Sequence, residues 1–218
     1  MKQMVLYAHV DMNKVYGFEG EVKAKYSSSL FPYFTELFNA MPLGYLIVNK
    51  IFVCHGGLCK TTPLISDLKK INRFGQPSSG GNDQYFSELL WSDPCEEAGI
   101  NPSKRGAGIS FGPDMTADFC SKNNVELVIR SHEVKEEGYE ITHHKKCITI
   151  FSAPNYCDQM GNKGAVIQFS YCKGSRGEGS VAELGVVGGM YGWIEQFEAV
   201  PHPNVKPMAY ASNLSQMQ

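Results

Sequence analysis

No apolar run in this chain reaches the ~18 residues that a membrane-spanning helix needs, so the sequence offers no helical span. The first ten residues, Met1 to Val10, lack the long apolar core of a secretory signal. Cysteine is present seven times, an odd number, and never as a CxxC pair, which argues against a disulfide framework. Several of these cysteines sit inside apolar runs, where a reduced thiol behaves as a small hydrophobe. A cytoplasmic or nuclear protein with free thiols is the expectation. An excess of one charge is also missing: 20 Lys and Arg stand against 22 Asp and Glu, a formal net charge of -2. That balance gives no electrostatic reason to expect a nucleic acid or an acidic membrane as partner. The densest basic group, Lys145-Lys146 beside two histidines, is too short for a binding stripe.

What is there suits one sizeable domain. The 218 residues are 43% apolar and 19% charged, within the range of ordinary globular chains. A chain of this length buries roughly 70% of its unfolded surface without needing a staple. Met12 to Tyr26 reads as a weak helix interrupted by glycines. Ser27 to Met41 reads as a better one, with serines as N-cap, Pro32 in the first turn and Leu30, Phe34, Leu37, Phe38 and Met41 at helical spacing. Beyond Pro42 the pattern predicts a hairpin, Tyr45–Val48 and Ile51–Cys54 around a turn at Asn49-Lys50. A short helix at Ser66–Ile71 and a loop at Gln76–Asn82 follow. Asp114 is the expected N-cap of a helix running to about Lys122, before a strand at Val125–Ile129. A second hairpin pairs Tyr139–Thr142 with Cys147–Phe151, and Gly164–Ser170 is a further strand. Ser170 to Gly192, rich in glycine and without a clean period, reads as an exposed loop or insertion. The alternation of helices and β-branched strands implies a mixed α/β domain.

Three apolar runs end alike. IFVC runs into His55-Gly56-Gly57, ELVI into Arg130-Ser131-His132-Glu133, and ITIF into Ser152-Ala153-Pro154-Asn155-Tyr156. Polar side chains just past the carboxyl end of buried strands are where α/β sheets commonly build ligand sites. Glycines after His55 let the chain turn sharply and leave space beside the imidazole. Two strand-end histidines suit a metal site, because neutral imidazole is a good ligand for zinc, iron or manganese. The residues alone leave open the blander reading of hydrogen-bonded core histidines. Arg130 reads as a strand-end charge, and His143-His144 as the solvated tip of a hairpin. Cys54 and Cys59 around His55 suggest a metal knuckle only weakly.

The exact strings go further. HGGL at 55–58, LLWSDP at 89–94, SKRG at 103–106, FGPD at 111–114, IRSHE at 129–133 and FSAPNYCDQMGNKG at 151–164 stand in the order and spacing of the phosphoprotein phosphatase superfamily. From Met12 onward, the glycine-rich stretch excepted, the chain resembles these metal-dependent serine/threonine protein phosphatases. MNKVYGFEGEVKAKY at 12–26 and AVPHPNVKPMAYASN at 199–213 narrow the resemblance to the type 5 branch. The resemblance implies a calcineurin-like metallophosphoesterase fold of the α/β (α+β) class, a central β-sandwich flanked by helices. It also implies hydrolysis of phosphoserine and phosphothreonine in phosphoprotein partners by a water activated between two divalent ions of the Mn/Fe/Zn/Mg class, roughly 3.5–4 Å apart. His55 and His132 match metal ligands, both on the second ion. Arg105 matches an arginine that clamps the substrate phosphate, and Tyr156 a tyrosine of a mobile loop over the active site; these two are the catalytic and substrate-binding candidates. Trp91 and Asp93 match the wall of the site.

One departure matters. The superfamily's motifs GDxHG, GDxxDRG and GNHE belong upstream of the helix near Met12. The first two are absent, and Val5-Leu6-Tyr7-Ala8 stands where the third belongs. The expected organisation is a divergent segment at 1–11 and an N-terminally truncated catalytic domain at 12–218, its first strands missing and 170–192 a glycine-rich insertion. At most one partial metal site is then retained, with His9 and Asp11 the only nearby substitutes, at a different spacing from the motif. The tetratricopeptide-repeat recruitment module of type 5 phosphatases is expected to be absent too. The competing reading is a catalytically inactive fragment that binds a phosphopeptide or partner. A phosphoesterase acting on nucleotides or small phosphates is disfavoured by SAPNYC.

Overall fold

The run Ile51–Cys54 is buried at every position because both of its faces are covered. A computed structural model describes residues 10–74, 83–173 and 179–204 of the chain. The expectations placed on His9, on the side chain of Asp11, on the loop Gln76–Asn82 and on the segment beyond residue 204 lie outside the described residues. Two short helices open the described part, α1 (Val10–Val15) and α2 (Phe18–Lys25), followed by α3 (Phe31–Ala40). The expected single weak helix is broken at Gly17, whose φ of 83° is open to glycine but costly to residues with a Cβ. Phe18 of α2 packs against Phe31, Phe34 and Phe38 of α3, which ties the pair together. The serine cap expected for α3 is not formed. Leu30 is the N-cap with no side-chain bond, Pro32 falls in the first turn, and Ser27 and Ser29 bond each other instead.

Strands β1 (Gly44–Ile47) and β2 (Ile51–Cys54) form the expected hairpin. After α4 (Ile65–Leu68) and α5 (Asp83–Trp91) come β3 (Asp93–Pro94), β4 (Ile100–Pro102) and β5 (Ile109–Phe111), a small sheet in the order β3-β5-β4. Helix α6 (Pro113–Asn123) is capped by Gly112 rather than by Asp114. Asp114 lies inside the first turn, where its carboxylate accepts the N–H of Gly99 at 2.8 Å. Then follow β6 (Leu127–Arg130), β7 (Tyr139–Thr142), β8 (Cys147–Ile150), β9 (Gly164–Ser170), β10 (Ser180–Val187) and β11 (Met190–Phe197).

The main sheet has the order β1-β2-β6-β8-β7, with β2, β6 and β8 parallel and adjacent. A second sheet, β10-β11-β9, is antiparallel throughout. Alternation along β2 explains the three layers. Ile51 and Val53 join Leu127, Ile129 and Ile148 against Met190 and Ile167 of the second sheet. Phe52 and Cys54 face the other way, onto Phe86, Leu89 and Leu90 of α5 and Phe119 of α6. This is the expected β-sandwich flanked by helices.

The stretch Ser170–Gly192 departs from the loop reading, since Ser180–Val187 builds β10 and Met190–Gly192 starts β11. Val187 pairs with Met190 across a two-residue turn, Gly188-Gly189, with φ of 58° and 78°. Those positive angles are what a tight hairpin requires, and glycine supplies them without strain. Among the described residues no helix is long and apolar enough to cross a membrane.

Candidate active site

The parallel strands deliver their carboxyl ends side by side. β2 ends at His55, β6 at Arg130, Ser131 and His132, and β8 leads into the segment that carries Tyr156. The Ser131 N–H donates to the His55 carbonyl at 3.0 Å, which locks the two strand exits together. The His55 and His132 rings lie 5.0 Å apart between centroids, tilted by 50°. His55 is buried, and only 9% of the His132 side chain is exposed. The indole of Trp91, at the end of α5, meets the His132 ring edge-on at 5.6 Å. His132 takes a φ of 79°, a left-handed conformation that costs a residue with a Cβ roughly 1–2 kcal/mol. Strain of that kind gathers at functional sites.

Gly56 and Gly57 have a sharper purpose than the turn expected of them. A Cβ on Gly56 would lie 2.4 Å from the Leu90 carbonyl carbon, and one on Gly57 would lie 2.2 Å from the Phe111 ring. These glycines let the chain past His55 press directly on α5 and β5.

Behind the histidines stands an ionic network that sequence reasoning missed. The Arg130 side chain is fully buried. It donates to the carbonyl of Gly56, to Glu133 Oε2 at 2.7 Å, to the Ser92 carbonyl at 3.3 Å and to Asp93 Oδ1 at 2.6 Å. Asp93 also accepts from Arg105, whose Nε lies 2.5 Å from Oδ2, while Arg105 Nη2 reaches the His132 carbonyl at 3.1 Å. Burial works against the charge on Asp93, yet His132, Arg105 and Arg130 outweigh it and hold the carboxyl well below the usual range. His132 is shifted downward as well, chiefly by burial and only partly offset by Asp93. Its Nδ1 faces Asp93 Oδ1 at 3.3 Å and, among the described residues, is buried without a hydrogen-bond partner. A neutral imidazole is the form that ligates metal.

Arg105 sits at the mouth, its side chain one-third exposed, with Nη1 engaged by no described residue. Tyr156 is held separately, by an edge-on contact with Phe151 at 5.5 Å and by the bond from its N–H to Asn162 Oδ1 at 2.9 Å. Burial raises its hydroxyl above the usual value. The structure therefore unites His55, His132, Arg105, Trp91 and Asp93, and places Tyr156 past the neighbouring strand end. His143 is not solvated as expected. It is buried, bonded to Thr116 Oγ1 at 2.7 Å and to the Cys95 carbonyl at 2.9 Å, while His144 stays exposed. Cys54 and Cys59 are buried thiols shifted upward by burial, Cys54 to about 12, which suits packing and not a metal knuckle.

A catalytic ion fits this site in part. The adjacent rings of His55 and His132 could offer two imidazole donors. Among the described residues no group of three or more His, Cys, Asp or Glu could hold an ion. The pair thus fits as two ligands of a single ion, and a two-ion centre needs donors that the described residues do not supply.

The fold and this strand-end site define a metallophosphoesterase. Residues 9–136 match the family of calcineurin-like phosphoesterases, and the chain belongs to that family. It is 51% identical over 207 residues to serine/threonine-protein phosphatase 5 of Solanum lycopersicum, covering 94% of this chain and 34% of the relative. Identity to serine/threonine-protein phosphatase 5 of Homo sapiens is 47% over 208 residues, covering 95% of this chain and 38% of the relative. A solved protein serine/threonine phosphatase from Saccharomyces cerevisiae, described as similar to human phosphatase PP5, superposes with a TM-score of 0.76 at 40% identity. That match covers 94% of this chain and 62% of the yeast chain. The chain thus spans little more than a third of the length of the curated relatives.

Proposed function

We propose that this chain carries the phosphate-handling half of a metal-dependent protein phosphatase that hydrolyses phosphoserine and phosphothreonine. The observation behind this reading is the convergence of His55, His132 and the Asp93-anchored Arg105 at one edge of the sheet. His55 and His132 hold one divalent ion of the Mn/Fe/Zn/Mg class. When bound, such an ion polarises the phosphoryl oxygen and lowers the pKa of a water. Arg105 offers the outer edge of its guanidinium to the phosphate, and its planar fork matches phosphate oxygens. Asp93 does not compete for that task because it holds the inner edge and so aims the fork. Arg130, saturated with bonds and buried, fixes Asp93 and the start of the β6 exit. Tyr156 lines the substrate side past β8. The names of the relatives give no support to a role in binding without hydrolysis.

The test is equilibrium dialysis against Mn²⁺ combined with hydrolysis of a phosphothreonine peptide. Expected is one equivalent of bound ion, lost in both His55→Ala and His132→Ala. Arg105→Ala retains the ion and lowers turnover by about 10²-fold, the usual cost of removing one preorganised donor. Metal that remains bound in both histidine variants would overturn the assignment of ligands, and an unchanged rate in Arg105→Ala would overturn the clamp.

A further inference from the structure

Away from the active-site residues, the hairpin β1–β2 and helix α4 line a partly open cavity of about 160 Å³. Its walls are apolar, formed by Leu43, Leu46, Phe52, Ile65, Leu68 and Leu89. A void of this size holds one ring or one branched aliphatic group, since an engineered cavity of roughly 150 Å³ accepts benzene. Two cations, Lys69 and Arg73, stand on its wall, and no acidic residue does. Among the described residues Arg73 Nε, buried, has no hydrogen-bond partner, an arrangement that costs free energy unless an acceptor arrives. The guanidinium carbon lies 5.9 Å from the centre of the Phe74 ring.

The same wall includes Gly44, Tyr45 and Leu46 of β1, and among the described residues β1 is an outer strand of the main sheet. Edge strands are usually blunted by charge, proline or a bulge. β1, with the sequence GYLI, has none of these, and Tyr45 and Ile47 are exposed on it.

We propose that this edge docks an extended segment of a partner protein, one bulky apolar side chain filling the cavity and an adjacent acidic residue meeting Arg73 and Lys69. Main-chain bonds to β1 supply the affinity, and the cavity and the cations supply the specificity, as in other strand-addition modes. The carboxylate is selected because an arginine fork pairs with it in two parallel bonds. This inference does not depend on the catalytic reading, since no residue of the active site takes part.

The test is fluorescence anisotropy on the full chain with labelled octapeptides of alternating Thr and Val. One position carries Leu, Ile, Phe or Met and the next carries Asp; a matching panel carries Lys in place of Asp. Saturable binding by at least one acidic peptide is expected, with none by the Lys panel. Arg73→Met weakens the tightest peptide at least tenfold. Lys69→Glu, a change at an exposed position that leaves folding intact, weakens the acidic peptides and strengthens the Lys panel. Three results would overturn the proposal: no saturation by any acidic peptide up to about 1 mM, equal binding by both panels, or affinities unchanged in both variants. Decanoate is the control. Saturable binding of decanoate without any peptide assigns the cavity to a small amphiphile and also overturns the proposal.

Discussion

At the scale of single residues, Arg130 decides whether the site holds together. Its side chain is withdrawn from water and spends its donors on Gly56, Ser92, Asp93 and Glu133. Removing one member of such a buried pair leaves the other charge uncompensated, at about 3–5 kcal/mol. Arg130→Ala is therefore expected to lose that much in urea unfolding, whereas Arg105→Ala, at the surface, loses little. His143 makes a prediction of another kind. Burial lowers its pKa below the ordinary 6.5, against opposing pulls from the Cys95 carbonyl, Glu96 and Asp114, with His144 adding to the lowering. The unfolded chain therefore binds a proton more readily than the folded one, so this group contributes stability above pH 6.5 that is lost as pH falls through 6.5 toward the lower folded value. In His143→Gln the stability lost between pH 7 and pH 5 is expected to be smaller than in the parent; equal slopes in chemical denaturation would refute it. The candidate ligands were legible because a histidine just past a buried run announces itself. Arg130 was not, since its partner Asp93 is 37 residues away and nothing local signals burial. His143, in a stretch HHKK that looks solvated, was hidden for the same reason.

At the scale of elements, most of the boundaries were readable from periodicity, and the misreadings have physical causes. Glycines in Ser170–Gly192 erased the alternation that identifies a strand, yet the pair Gly188-Gly189 between VV and MY was itself a hairpin signal. β10 and β11 also shift register between Ser180 and Ala182 and between Glu183 and Gly185, which spoils a strict period. The turn gives a paired prediction. A Cβ on Gly188 would lie 2.8 Å from Val48 Cγ2 and Lys50 Cβ, whereas at Gly189 nothing lies within 4 Å. Both positions are left-handed, so any ordinary residue costs roughly 1–2 kcal/mol there. Gly188→Val is expected to lower the melting temperature more than Gly189→Val, and Gly189→Asn to be nearly neutral because asparagine tolerates this conformation. The caps expected at Ser27–Ser29 and at Asp114 were misplaced by one to three residues and by two. In both helices proline in the first turn, not a side-chain cap, marks the start.

At the scale of the whole molecule, the sandwich depends on the layer between the two sheets. Ile129 and Ile148 sit in that layer at 5% and 1% exposure. Ile129→Ala is expected to cost about 2–5 kcal/mol, measured by thermal or chemical unfolding. A cost below about 1 kcal/mol would mean that the second sheet is not firmly seated. Sequence reasoning reached the mixed α/β class from the alternation of elements and the sandwich from the family resemblance, but not the order β1-β2-β6-β8-β7. Periodicity shows which face a strand buries, and the pairing of β2 with β6 is a contact across more than seventy residues.

The two histidines leave neighbouring parallel strands, and their ring separation of 5.0 Å nearly repeats the ~4.8 Å between strands of any sheet. Pairing of Val53 with Ile129 puts Ser131, not His132, opposite His55, so the backbone ladder alone does not set this gauge. The left-handed φ of 79° at His132 is the other half of it. A change that returned position 132 to extended backbone would reset the spacing of the two rings while leaving both strands in place.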